Sequence, residues 1–143
     1  MEKIQIKFGV SNTDPKFPLQ LQVHMDNKLL SSLLITKPTD VAYDLELTDG
    51  DHELCLTLLG KTAAHTTIDE QGTIIKDAML QFSNVEMDEI NIDSMLQKLA
   101  VYTHDFNGSG KPTQESFFHA QGCNGTVSLK FTSPIYLWLL ENM

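Results

Sequence analysis

The chain contains no arginine, and its ten lysines are spread singly along 143 residues. Arginine suits phosphate best, because its planar fork matches the geometry of the phosphate oxygens. Nineteen acidic residues bring the net charge to −9. This balance argues against an electrostatic footprint for nucleic acid. It is compatible with a soluble protein that binds a cation or a basic partner surface.

Long apolar runs are also missing. The longest one, Ile135–Leu140, is far shorter than the roughly 20 residues that a membrane-spanning helix needs. The first residues alternate between polar and apolar side chains and lack the apolar block of a secretory signal. We therefore expect a protein that is made in a cytoplasm and has no membrane partner.

Recognisable catalytic motifs are absent. The five histidines and two cysteines show no zinc-ligand spacing, and there is no nucleophile elbow, paired-carboxylate signature or dinucleotide fingerprint. His119 and Cys123 are the best candidates for a base and a nucleophile, but no catalytic motif surrounds them. The sequence therefore predicts a protein that is not an enzyme.

What the chain does contain is alternation of apolar and polar residues. In Val41–Leu59, two alternating runs flank the acidic turn Thr48–Asp51. A period of two places every second side chain on one face of a sheet. An Asp-Gly pair supplies the positive φ that a tight reversal needs. The segment therefore predicts an antiparallel hairpin with one buried face.

Similar patterns recur along the chain and predict further strands at Ile4–Val10, Leu19–Met25, Leu29–Thr36, Thr62–Ile68, Thr73–Lys76, Leu80–Val85, Glu89–Ile92 and Thr126–Phe131. A short helix is predicted over Ser94–Val101, capped by Asp93 or Ser94. Asp105–Ser116 has the composition of a polar loop. Together these elements predict one domain over residues 1–143, a mainly β protein whose fold is an antiparallel β-sandwich, jelly-roll-like, with one short helix.

The polar loop includes a candidate calcium site. Asp105, Asn107 and Ser109 match the first three oxygen ligands of a calcium loop, and Gly110 matches its glycine. Position twelve is Ser116 rather than the expected glutamate, and a flexible glycine-rich loop explains the same residues. Acidic turns offer a second cation site at Asp26, at Asp49 with Asp51, or at Asp69 with Glu70, although Asp is also a common turn residue.

The segment Pro134–Leu140 combines aromatic and aliphatic residues. As a strand it would place Ile135, Leu137 and Leu139 on one face and Tyr136, Trp138 and Leu140 on the other. A strand that is apolar on both faces is either central or pressed against another subunit. Exposed aromatics can also stack on the C–H face of a sugar. Tyr136, Trp138 and Leu140 are therefore the predicted contacts for a partner protein or a glycan.

Two stretches, Val23–Lys28 and Tyr43–Leu56, resemble small jelly-roll carbohydrate-binding modules. In those modules a strand, an Asp turn and a strand are followed by a pair with Gly, His and Leu, here Gly50, His52 and Leu54. The resemblance covers residues 19–59 and implies glycan binding with calcium through end loops. The chain as a whole also looks like the compact all-β accessory proteins of tailed-phage particles.

Two functional hypotheses follow. The first is a non-enzymatic structural or decoration component of a phage-like virion, made in the host cytoplasm, that docks on other assembly proteins or on copies of itself. The alternative is a glycan-binding module, with calcium as an optional cofactor for which its end loops would supply the ligands. Neither hypothesis includes nucleic acid or a membrane as a partner.

Overall fold

The computed structural model describes residues 1–14, 16–61, 66–68, 70–71, 74–104, 111–117 and 119–142, with only the backbone described for 66–68 and 74–77. Within these ranges the chain forms thirteen strands and two short helices. The strands are β1 Glu2–Asn12, β2 Leu19–Met25, β3 Lys28–Ile35, β4 Thr39–Leu47, β5 Gly50–Leu59, β6 Thr66–Ile68, β7 Ile74–Asp77, β8 Leu80–Met87, β9 Ile90–Asn91, β10 Val101–His104, β11 Thr113–Ser116, β12 Ala120–Gln121 and β13 Gly125–Ser133. The helices are α1 Asp93–Leu99 and α2 Ile135–Asn142.

Two antiparallel sheets account for most of the strands. The five-stranded sheet has the order β12-β8-β1-β4, with β9 paired to β8. The six-stranded sheet has the order β11-β10-β13-β5-β2-β3. Strands β6 and β7 pair with each other as a separate two-stranded sheet. The prediction of a mainly β, antiparallel sandwich is therefore confirmed.

The core lies between the two sheets, where the alternating apolar side chains meet. Ile6 and Phe8 of β1 and Leu56 and Leu58 of β5 are almost completely buried. The outward positions between them are polar, because successive side chains of a strand point to opposite faces. The outer face of the five-stranded sheet is therefore left as a polar surface.

The predicted hairpin at Val41–Leu59 is wrong in its pairing. Strand β4 pairs with β1 in the five-stranded sheet, whereas β5 lies between β13 and β2 in the six-stranded sheet. The reversal itself is present, and Gly50 has a φ of +117°. The two strands face the same core from opposite sides. Alternation records a buried face and not the partner strand, which is why the sequence could not distinguish the two arrangements.

The C-terminal segment is a helix, so its prediction as a strand is wrong. Helix α2 buries Ile135, Trp138 and Leu139, and Trp138 contacts Phe131 of β13 edge to face at 6.0 Å between ring centroids. These positions are three and four residues apart and share one helical face. In a run of only apolar residues, periodicity cannot separate a strand from a helix.

Smaller differences concern α1 and the polar loop. Helix α1 covers Asp93–Leu99. The predicted cap Asp93 is its first residue, and its carboxylate accepts the backbone N–H of Val85 at 2.9 Å. The Asp93 N–H itself donates to the side chain of Asn91 at 2.9 Å. Part of the predicted loop, Thr113–Ser116, is an edge strand. Among the described residues, no helix is both long and apolar enough to cross a membrane.

Candidate functional site

A depression of about 450 Å³ lies on the outer face of the five-stranded sheet, near the N-terminal end of β1. We call it the Asp88 depression. Its polar lining residues are Lys3, Gln5, Asp44, Glu46 and Asp88. Gln5 and Asp44 are directly opposite each other on β1 and β4, so the depression follows from the outward, polar half of the alternation on both strands.

Asp88 is the most firmly placed of these groups. It occupies the tight turn between β8 and β9, where Asp88 and Glu89 have φ values of 49° and 67°. The backbone N–H of Gln5 donates to the Asp88 carboxylate at 2.7 Å, and the N–H of Asp88 donates to the Gln5 carbonyl at 2.8 Å. This reciprocal pair fixes a carboxylate at the edge of the sheet with one oxygen directed toward helix α2.

Tyr136 of α2 lies beside that carboxylate. Its hydroxyl donates to the second oxygen of Asp88 at 3.3 Å, and the negative charge of Asp88 raises the pKa of the phenol. The side chain is 53% exposed. Among the aromatic residues that the structure describes, Tyr136 is the only one that is mainly exposed. A protonated phenol and a largely exposed ring thus lie beside Asp88, one of the residues that line the depression.

The groups in and beside the depression suit a ligand with many hydroxyls. Carboxylates accept hydrogen bonds, an amide both donates and accepts them, and an aromatic ring offers an apolar face. The bond from Gln5 Nε2 to Asp44 is long, at 3.3 Å, and exposed. Such a bond is readily exchanged for one to a ligand, so both side chains can turn toward a bound molecule.

The structure separates the three predicted contact residues. Tyr136 and Leu140 are exposed on the same side of α2, whereas Trp138 is only 6% exposed and belongs to the core. Trp138 therefore cannot serve as a stacking surface in this conformation. The physical reason is the helix, which turns residue 138 inward where a strand would have placed it beside 136 and 140. For Tyr136 and Leu140 the contact role stays a prediction.

The calcium prediction is not tested. Asp105, Asn107 and Ser109 lie outside the described residues, as does Asp69 of the second proposed site. In the part of the chain that the structure describes, no three His, Cys, Asp or Glu side chains form a cluster suited to a metal ion. The carboxylate of Asp26, another predicted ligand, is hydrogen-bonded to His52.

His52 and Asp26 form a clamp between two turns. His52 Nδ1 lies 2.6 Å from the Asp26 carboxylate and Nε2 lies 2.6 Å from the Thr48 carbonyl. Burial alone lowers the pKa of His52, but these two hydrogen bonds raise it overall. Burial likewise raises the pKa of Asp26, yet bonds from His52 and from the Glu53 N–H lower it overall. With both ring nitrogens engaged, His52 holds the turns together and has no nitrogen left for a substrate.

His119 and Cys123, the candidates for a base and a nucleophile, each contact an aromatic residue. The ring of His119 is against Phe117, with centroids 5.6 Å apart. Cys123 is tied through its backbone to Tyr102, whose hydroxyl accepts the Cys123 N–H at 2.9 Å. Neither contact activates a thiol, and the absence of catalysis stays a prediction.

The sequence analysis missed Gln5, Asp44 and Asp88. Gln5 and Asp44 were visible only as solvent-facing positions of two strands, and their proximity depends on the β1–β4 register. Asp88 lies between the predicted strands Leu80–Val85 and Glu89–Ile92, where the sequence pattern was ambiguous. The Asp-Glu pair between two short apolar runs is a turn signal that could have marked it.

Comparison with known proteins identifies one similar fold. No family model matches the sequence, and no curated protein matches it. A solved structure of vCBM60 in complex with galactobiose is similar in fold, with a TM-score of 0.53, 11% sequence identity, and coverage of 87% of this chain and 96% of that one. The chain therefore has a β-sandwich fold similar to that of a carbohydrate-binding module. The resemblance to phage accessory proteins receives no support.

Proposed function

We propose that the protein is a non-catalytic glycan-binding module and that Tyr136 and the Asp88 depression form its binding site. The observation that carries the proposal is an exposed aromatic ring whose hydroxyl reaches Asp88, a residue that lines the depression. The fold neighbour, which is a carbohydrate-binding module in complex with galactobiose, supports the same class of ligand.

Recognition would combine two kinds of contact. One sugar ring would place its C–H face on the Tyr136 ring. Its hydroxyls would donate to Asp88 and Asp44 and would exchange bonds with the Gln5 amide. Shallow sites of this kind bind through a few well-placed polar groups beside an apolar surface.

A glycan array followed by titration calorimetry on the best hit tests the proposal. Removing a stacking ring costs about 1–1.5 kcal/mol, so Tyr136→Ala should weaken binding by about fivefold to tenfold. Tyr136→Phe keeps the ring and should retain most of the affinity. Leu137→Ala is the matched control, because Leu137 is the next residue of α2, is 60% exposed, and should leave binding unchanged.

Running the array with calcium and with a chelator decides whether the metal contributes. If binding occurs with calcium and is lost with chelator, calcium has a role, and the predicted ligands Asp105, Asn107 and Ser109 are the ones to test. No hit in either condition, or equal affinity of wild type and Tyr136→Ala, would refute the glycan proposal.

A second candidate function is docking on a larger assembly, the virion hypothesis. One observation favours it: Leu137 and Leu140 are 60% and 72% exposed on α2, an apolar surface of the kind that often marks protein contacts. Leu137→Glu should then abolish co-purification with the assembly while leaving glycan binding intact, because Leu137 is not among the proposed glycan contacts. A protein that is isolated alone and monomeric at all concentrations would argue against this candidate.

A further inference from the structure

Two more depressions continue the Asp88 depression along β1. The central one, of about 450 Å³, is lined by residues that include Lys7, Gly9, Asp40, Ala42, Asn84 and Glu86. The third, of about 350 Å³, is lined by residues that include Ser11, Gln81, Ser83 and His119. We call the three together the β1 groove.

The register of the strands makes the groove continuous. Gln5 opposite Asp44 and Lys7 opposite Ala42 are successive outward pairs of β1 and β4, so the first two depressions adjoin. Ser83 lines both the central and the third depression. The outward residues of β1 run from position 3 to position 11, a length of about 27 Å at ~3.4 Å per residue. This length exceeds that of a disaccharide by a wide margin.

A β-bulge opens the middle of the groove. The pairing of β1 with β8 shifts between Lys7 and Gly9, and on β8 the shift includes Asn84, which has a φ of 50°. An extra residue of this kind bends a strand and redirects its side chains. Gly9 has no side chain, so the floor of the central depression stays low at this position.

The charge of the groove limits what it can accept. Its lining includes two lysines but five carboxylates, at Asp40, Asp44, Glu46, Glu86 and Asp88. Lys3 is already near Glu46, with N and O 3.8 Å apart. A surface with an excess of one charge repels ligands of the same sign. Uronate-bearing or sulfated chains therefore fit the groove poorly.

We propose that the β1 groove binds an extended, uncharged glycan chain that lies along β1, with one sugar on Tyr136 and the following sugars across the central and third depressions. This inference rests on the proposed function, since it assigns a chain length and a charge class to the same site.

The first test is a length series measured by calorimetry, with neutral galacto-, xylo- and manno-oligosaccharides of two, four and six units. Affinity should rise by about tenfold or more from the disaccharide to the hexasaccharide in the series that binds. Equal affinity from the disaccharide upward, combined with loss of binding in Tyr136→Ala, would overturn the groove while leaving the proposed function standing. No binding in any series would overturn both.

The second test blocks the groove with Ser83→Ile. Ser83 is exposed on β8, where a β-branched residue is well tolerated, and it lines both the central and the third depression. It lies opposite Gly9, which is two outward positions beyond Gln5 on β1. The variant should bind the disaccharide within about twofold of wild type, because sites about 10 Å or more apart are nearly independent, but it should lose the gain with length. Ser32→Ile at an exposed position of β3 in the other sheet is the matched control. A gain with length that survives in Ser83→Ile would show that the chain does not follow β1.

The third test concerns charge and compares galactose oligomers with galacturonate oligomers of equal length. The acidic oligomers should bind at least about tenfold more weakly at low salt, and the difference should shrink as salt screens the repulsion. The double variant Asp44→Asn with Glu86→Gln removes two of the five carboxylates, so it should further reduce the difference in affinity between the two oligomers. Equal binding of the two oligomers at low salt would refute the charge assignment.

Discussion

The His52–Asp26 clamp leads to a prediction that needs no ligand. Asp26→Asn removes the charge from the carboxylate but leaves an oxygen that can accept the Glu53 N–H, now 2.8 Å from Asp26. Asp26 has a φ of 51°, and Asn adopts that left-handed conformation readily. The substitution therefore changes the interaction with His52 and little else in the turn.

The expected cost follows from the geometry. A hydrogen bond to a charged group contributes about 1.5–3 kcal/mol to stability. The side chain of Asp26 is 44% exposed while that of His52 is 6% exposed, so water competes at one end of the pair. We therefore expect the lower end of the range, about 1.5 kcal/mol of unfolding free energy, at about pH 5 to 6.

The pH dependence has a definite sign. The pKa of His52 is raised above its ordinary value of 6.5, so its contribution is complete below pH 6.5 and disappears as the pH rises through the folded-state value. The pKa of Asp26 is lowered below 3.8, so its contribution is present above pH 3.8 and disappears as the pH falls through the folded-state value. The clamp therefore stabilises the fold most between pH 3.8 and pH 6.5.

Urea unfolding measured from about pH 5 to about pH 9 checks this reasoning. Wild type should lose stability as the pH rises above 6.5, and Asp26→Asn should lose much less over that interval. Asp51 also raises the pKa of His52, so a small slope should remain. Asp49→Asn, which removes another exposed carboxylate from the β4–β5 connection, should retain the wild-type slope. The same slope in Asp26→Asn as in wild type would refute the linkage.

Two further substitutions test how the fold supports the site. Glu2 accepts hydrogen bonds from the Ser133 hydroxyl at 2.7 Å and the Ile135 N–H at 2.8 Å. Glu2→Ala should therefore lower the unfolding free energy measured in urea by about 1–2 kcal/mol, and it should weaken glycan binding because α2 is held less firmly. Glu2→Gln should lower the unfolding free energy less. A Cβ on Gly125 would lie 2.3 Å from the Thr103 carbonyl oxygen, so Gly125→Ala should cost about 1–3 kcal/mol or more. Gly9→Ala should be milder, because its Cβ would meet the rotatable Ser83 hydroxyl.

Much of the fold was predictable because it depends on local alternation. The inward residues of β1 and β2, such as Ile6 and Leu21, are buried as predicted. The acidic turn at Asp26 is present, and both Asp26 and Asn27, its next residue, have positive φ values. Each of these features is decided within about ten residues, which is the range over which a period of two or a turn pair can be read.

The site was not predictable in the same way, because it depends on distant pairing. Asp88 reaches Gln5 only because β8 lies beside β1, and Tyr136 reaches Asp88 only because α2 folds back on β13. The residue identified in advance, Tyr136, was chosen for its aromatic ring and not for its neighbours. Its actual exposure follows from the helix that the sequence analysis read as a strand.

The two outer faces of the sandwich differ in how their polar groups are already satisfied. On the six-stranded sheet, Ser128 donates to Glu53 at 2.7 Å and the hydroxyls of Thr57 and Thr126 are 3.1 Å apart. A glycan on that face would have to break these bonds before forming its own, and the net gain from each exchange would be small.

On the five-stranded sheet the corresponding contacts are looser. Gln5 and Asp44 are joined at 3.3 Å, and Lys3 and Glu46 at 3.8 Å, distances at which the groups still interact strongly with water. New bonds to a ligand therefore replace bonds to water or the long, exposed bond between Gln5 and Asp44. Because Tyr136 also stands at this face, both the polar and the apolar contributions to sugar binding favour the β1 groove over the opposite sheet.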